Sequence, residues 1–145
     1  MRAAVLKYFA SFATADVEAI ASLFANDAVI QDPIDGPPIK GRDAIRNFFT
    51  SGFAYVGGPY EFVPEGAVRI AGNFAACAAI ATCDKANPPF RLDTLDVMEF
   101  DADGKIVSMK AYWGPANMQT LGAGDPAAAA DAAQRAKAFV ASMAN

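Results

Sequence analysis

Three residues far apart in the sequence could share one piece of acid–base chemistry: Tyr8, Asp32 and Asp96. The chain has no histidine, which excludes Ser–His and Cys–His nucleophile pairs and the usual imidazole-rich zinc sites. Proton transfer near neutral pH then falls to carboxyls, Tyr, Lys or Cys with displaced pKa values. Asp32 ends a run of apolar–polar alternation, and Pro33 follows it and cannot extend a ladder. That delivers a carboxylate at the end of a strand and the start of a stiff Pro- and Gly-rich loop. Asp-Pro is also an ordinary turn initiator, and taken alone the position reads more readily as a turn than as a base.

Asp96 carries more information. Alternation over residues 90–100 places Phe90, Leu92, Thr94, Asp96, Met98 and Phe100 on one face, with Arg91, Asp93, Leu95, Val97 and Glu99 on the other. An acid on an apolar face is penalised when charged, so it stays protonated and donates a hydrogen bond. The purely structural alternative is an ion pair with an inward Arg69 or Arg91, and Arg91 falls on the opposite face. Tyr8 shares a helical face with Val5, Phe9 and Phe12, where a buried phenol needs a partner. A core tyrosine with its hydroxyl at the rim is the plain alternative.

These residues need elements to hold them. Helical periodicity covers residues 3 to about 13, about 17 to 25 (Ile20, Leu23 and Phe24 inward, capped by Thr14 and Asp16) and about 42 to 52 (Ile45, Phe48 and Phe49 inward, ending at Gly52). Ala28, Ile30 and Asp32 share a strand face. Further strands read at about 59–63, 66–71, 74–82, 90–100 and 105–113, with turns at residues 87–89 and 101–104. Helices first and strands after imply an α+β domain, its helices packed on one face of a curved antiparallel sheet. Val107, Met109, Ala111 and Trp113 alternate as an apolar wall, which suits a core as readily as a pocket. Residues 1–121 form the domain, and 122–145 are a Gly-Ala-Gly-Asp-Pro linker and an alanine-rich helix from 127 to about 143 that docks on the domain or on a partner subunit.

Composition sets the outer bounds. With 145 residues, 54% of them hydrophobic, one domain with a real core is expected. No apolar run approaches the roughly 18 residues of a membrane span, and a formal charge of −4 without a basic cluster argues against nucleic acid. Arg2 and the apolar stretch behind it resemble a short signal, but Lys7 interrupts it and a helix continues, so no signal is read. Cys77 and Cys83 sit in one strand, roughly 20 Å apart at about 3.3 Å per residue. That is too far for a disulfide, and reduced thiols suit a cytoplasmic protein.

Tyr8 in a first helix, Asp32-Pro33 with residues 37–42 (Pro-Pro-Ile-Lys-Gly-Arg), residues 95–100 (Leu-Asp-Val-Met-Glu-Phe) and residues 109–113 (Met-Lys-Ala-Tyr-Trp) together resemble bacterial ketosteroid isomerase. That family lies within the cone-shaped superfamily that includes nuclear transport factor 2, and the likeness covers residues 1 to about 118. It implies three N-terminal helices on a curved, mostly antiparallel sheet, and a homodimer. It also implies that Asp32 is the general base of a C4-to-C6 proton shift in a β,γ-unsaturated 3-oxo-steroid. Tyr8 and protonated Asp96 would hold the dienolate oxygen, a division between two carboxyls of which that family is the standing example. Phe48, Met109 and Trp113 match apolar pocket positions for a flat, steroid-like small molecule, and neither cofactor nor metal is required. The likeness departs at Phe24 and Phe49, where the family has tyrosines that support the catalytic phenol. Ala76, Ala78 and Ile80 make a small pocket wall that would widen the cavity. The same scaffold could instead host an epoxide hydrolase, which needs an inward arginine between two aspartates, a cyclase, or a non-catalytic binder of apolar ligands.

Overall fold

The computed structural model describes residues 1–122 and 126–143; the expected linker lies partly outside them, at residues 123–125. Helix α1 spans Arg2–Ala10 and tightens into a 3-10 turn at Ser11–Thr14, so the expected single helix divides near its end. Helix α2 spans Val17–Ala21, and the Asp16 carboxylate caps it by accepting the Ala19 N–H at 2.9 Å. It stops earlier than helical periodicity predicts. The Leu23 carbonyl accepts from Ile106 N–H at 2.9 Å, and strand β1 (Phe24–Gln31) starts there. Phe24 is therefore the first residue of a strand rather than the last of a helix, because sheet pairing with Ile106 outweighs local propensity.

Strand β2 (Ile39–Lys40) pairs back onto β1 and has no signal beyond its Pro-rich setting. Gly41, at φ 89°, turns the chain into helix α3 (Arg42–Val56). That helix runs through Gly52, where a stop is expected. An isolated glycine costs about 1 kcal/mol in a helix interior, while buried Phe53 in the following turn favours continuation. The actual stop is Gly57 at φ 91°, with Gly58 N–H closing onto the Phe53 carbonyl at 2.8 Å.

The remaining elements are β3 (Glu61–Pro64), β4 (Arg69–Ala71), β5 (Phe74–Cys83), β6 (Phe90–Phe100), β7 (Ile106–Tyr112), the short β8 (Met118–Thr120) and α4 (Pro126–Met143). They form a curved, open sheet in the order β2-β1-β7-β6-β5-β3, with β4 on β5 and β8 on β6. Only the β1–β7 pair is parallel among the described residues. The α+β expectation holds. Among the described residues no helix is long and apolar enough to cross a membrane.

Burial alternates along β6 as its sequence predicts: Thr94, Asp96, Met98 and Phe100 are buried and Leu95 is exposed. Two expectations fail by one register step. On β5 the inner set is Ala75, Cys77, Ala79, Ala81 and Cys83, not Ala76, Ala78 and Ile80. Alternation alone does not say which of two small-residue faces turns inward. On β7 a bulge at Val107 lets Phe100 pair with Ile106 while Glu99 pairs with Ser108, so Ile106 rather than Val107 shares the buried face with Met109 and Ala111. Cys77 and Cys83 are buried free thiols.

Candidate active site

The sheet register places the two acids. Gln31 of β1 pairs with Lys110 of β7, so Asp32 follows level with Ala111, and the partner of Ala111 on β6 is Asp96. Asp32, Ala111 and Asp96 thus form one row across three neighbouring strands, the acids about 10 Å apart at two strand spacings. Ala111 between them is too small to fill the gap. The loop after Asp32 is pinned to the same row, since Ile34 N–H donates to the Ala111 carbonyl at 2.8 Å.

One row beyond lie Ile30, Met109 and Met98, paired with one another and fully buried. Met109 therefore belongs to the core and does not line the cavity, contrary to the expected pocket role. One row toward the mouth stand Trp113 and Thr94, and each serves one acid. Trp113 Nε1–H donates to Asp32 Oδ1 at 2.6 Å, and the Thr94 hydroxyl donates to Asp96 Oδ1 at 2.9 Å. The sequence reading gave Trp113 an apolar role and Thr94 none. Their donors would be visible only to a reading that carried the alternation of β6 and β7 through to cross-strand register.

Above these rows opens a cavity of about 370 Å³, within the usual range for small-molecule sites. Tyr8, Asp32, Asp96, Phe48 and Trp113 all line it, as do Thr94, Ala111 and Gly52. Tyr8 and Asp96 lie deep, at 1% and 2% exposure. Tyr60, absent from the expected site, brings a second phenol to the same wall; its position just ahead of β3 gave no sign of this. The ring of Tyr8 packs edge-on against Phe9, Phe12, Phe24, Phe49 and Phe62, with centroids 5.1–6.5 Å away. These rings fix the phenol but offer its hydroxyl no hydrogen bond.

Electrostatics separates the two carboxyls. Burial, and then the charge of Asp32, pushes the Asp96 pKa up to about 8, against the lowering effect of the Thr94 hydroxyl. Arg91 pairs with Asp93 at 2.9 Å and Arg69 is exposed, so neither neutralises Asp96. At neutral pH Asp96 is a hydrogen-bond donor. Desolvation also raises Asp32, opposed by the Trp113 N–H that stabilises its charged form. The Trp113 N–H thus favours the charged form of Asp32 against the burial that disfavours it. Tyr8 is pushed well above the ordinary phenol value by burial and by the two acids, and stays protonated. One acceptor and two donors thus converge on an apolar space, an arrangement able to take a proton from carbon while holding the oxygen that gains charge.

Fold and site define a small cone-shaped domain with an acid–base cavity, and the chain belongs to the SnoaL-like domain family, whose pattern it matches over residues 5–109. A steroid Delta-isomerase from Nocardioides simplex is 36% identical over 118 residues, which is 81% of this chain and 93% of that protein. Among solved structures, the epoxide hydrolase/cyclase-like enzyme SalBIII, of pyran ring formation in the polyether salinomycin, superposes with a TM-score of 0.72. It is 26% identical, covering 81% of this chain and 93% of its own.

Proposed function

We propose that this protein is a steroid Δ-isomerase that moves a C=C bond from Δ5 to Δ4 in 3-oxo-steroids. The observation that carries the reading is the row Asp32–Ala111–Asp96, with the Trp113 N–H on the first acid, the Thr94 hydroxyl on the second and only a methyl side chain between them. The 36% identity to an enzyme of that name supports it. Asp32 takes the proton from C4, the C3 oxygen gains the charge as a dienolate, and Tyr8 and Asp96 donate to that oxygen. Asp32 then returns the proton to C6, and the double bond lies between C4 and C5. Phe48 and the indole of Trp113 flank the ring system, and no cofactor enters the cycle. A positioned base contributes typically about 10²–10⁴-fold, and one oxyanion donor roughly 2.7–4 kcal/mol. We include in this reading a cytoplasmic homodimer, supported by two buried free thiols and an apolar outer sheet face.

A second reading, epoxide opening or cyclisation, is favoured by the likeness to SalBIII. The arginine between two acids that epoxide hydrolysis needs is missing from the row, since Arg69 and Arg91 both lie outside the cavity. Incubation with 5-androstene-3,17-dione, followed by ultraviolet absorbance of the conjugated enone, separates the readings. Turnover that collapses in Asp32→Asn is expected; no enone, with opening of an epoxide substrate instead, would select the second.

A further inference from the structure

Helix α4 is a wall of the cavity. Ala132, Arg135, Ala136, Phe139 and Val140 line it, spaced as one face of a helix. Two ties hold that face over the mouth. Lys137 pairs with Asp35 in the loop that follows Asp32, and the Phe139 ring stacks on Tyr55 of α3 with centroids 4.4 Å apart and planes 16° from parallel. The family match ends at residue 109, so this wall is an addition to the matched domain.

Arg135 gives the wall a charge. Among the described residues it is the one cationic side chain lining the cavity, in a protein of net charge −4. Its side chain is 56% exposed, whereas Asp96 is 2% exposed, so cation and acid mark opposite depths of the same space. Among the described residues only Nη2 is engaged, with Asp131 one turn earlier at 3.0 Å, and Asp131 is itself 66% exposed. The remaining N–H groups of the guanidinium fork have no partner among the described residues, and such a fork matches a carboxylate in two-point geometry.

We propose that Arg135 forms an anion subsite at the cavity mouth, and that the preferred substrate is a 3-oxo-Δ5-steroid bearing a carboxylate at the end remote from the 3-oxo group. The orientation rests on the isomerase reading, which sets the 3-oxo group against Tyr8 and Asp96. The carboxylate then reaches Arg135 as the ring system fills the cavity between them.

Equilibrium binding of two phenolic steroids tests this without turnover: neutral estrone and its 17-(O-carboxymethyl)oxime. The acid is expected to bind about fivefold more tightly, as for a partly exposed ion pair, with the advantage shrinking as salt is raised. Arg135→Met should level the two affinities, Arg135→Glu should reverse their order and Arg135→Lys should keep part of the preference, with circular dichroism checking the fold of each. Equal affinities in the parent protein, or an acid preference that survives Arg135→Met, would overturn the subsite. Turnover of 5-androstene-3,17-dione without any acid preference sinks the subsite and leaves the isomerase reading standing. Acid preference without turnover does the reverse.

Discussion

At the scale of the residue, the account turns on two carboxyls of the same chemistry given different hydrogen-bond partners. Both lose their solvent, but Asp96 gains a neutral hydroxyl whereas Asp32 gains an indole N–H that favours its charge. Replacing Asp32 by Asn removes the acceptor and is expected to lower kcat by about 10²–10⁴-fold; steady-state kinetics checks this. Trp113→Phe keeps the ring and deletes the donor. Because that donor lowers the Asp32 pKa, its loss raises it, and the acid limb of kcat/KM should move to higher pH. An unmoved acid limb would mean that Trp113 only packs. Tyr8 and Asp96 were legible in the sequence because period and polarity disagree at those positions. Tyr60 and Thr94 were not, since a phenol ahead of a strand and a threonine within one break no local rule.

At the scale of the element, the site is a product of register. Strand periodicity assigned the faces of β6 correctly because Phe90, Leu92, Met98 and Phe100 on one face outweigh Leu95 and Val97 on the other. The same reasoning failed on β5, whose two faces are both small, and at Val107, where a bulge resets the count. Helix ends went astray for a different reason: pairing with β7 ends α2 early, and buried Phe53 carries α3 past Gly52. That glycine faces the cavity, and a Cβ added there meets no atom within 4 Å. Gly52→Ala should therefore stabilise α3 by about 1 kcal/mol, read from chemical denaturation. Gly52→Leu should instead fill the mouth and weaken binding of a phenolic steroid. Unaltered binding in that variant would place the ligand elsewhere.

At the scale of the molecule, the buried acids couple folding to pH. The folded Asp96 pKa of about 8 lies above its ordinary value of 3.8, so the native state holds a proton that the unfolded chain releases between those limits. Stability from this source is full below about pH 4 and is lost as pH rises toward 8. Desolvated Asp32 adds a contribution of the same sign. Denaturation midpoints should fall between about pH 5 and pH 8, and Asp96→Asn should flatten that fall. The outer sheet face poses a separate question, because Leu95 and its cross-strand partner Tyr112 are 41% and 44% exposed beside half-buried Val97. In the homodimer we propose, this row is the interface, and Leu95→Glu should convert a dimer to a monomer in sedimentation analysis. A parent protein that sediments as a monomer would remove the dimer. The most direct test of the central claim is a carboxyl-carbon NMR titration of the protein labelled at aspartate, with Asp32→Asn and Asp96→Asn assigning the two resonances. The account predicts that at pH 7 Asp32 is ionised and Asp96 protonated, with Asp96 titrating near 8. An Asp96 already ionised at pH 6, or an Asp32 still protonated at pH 7, would contradict it.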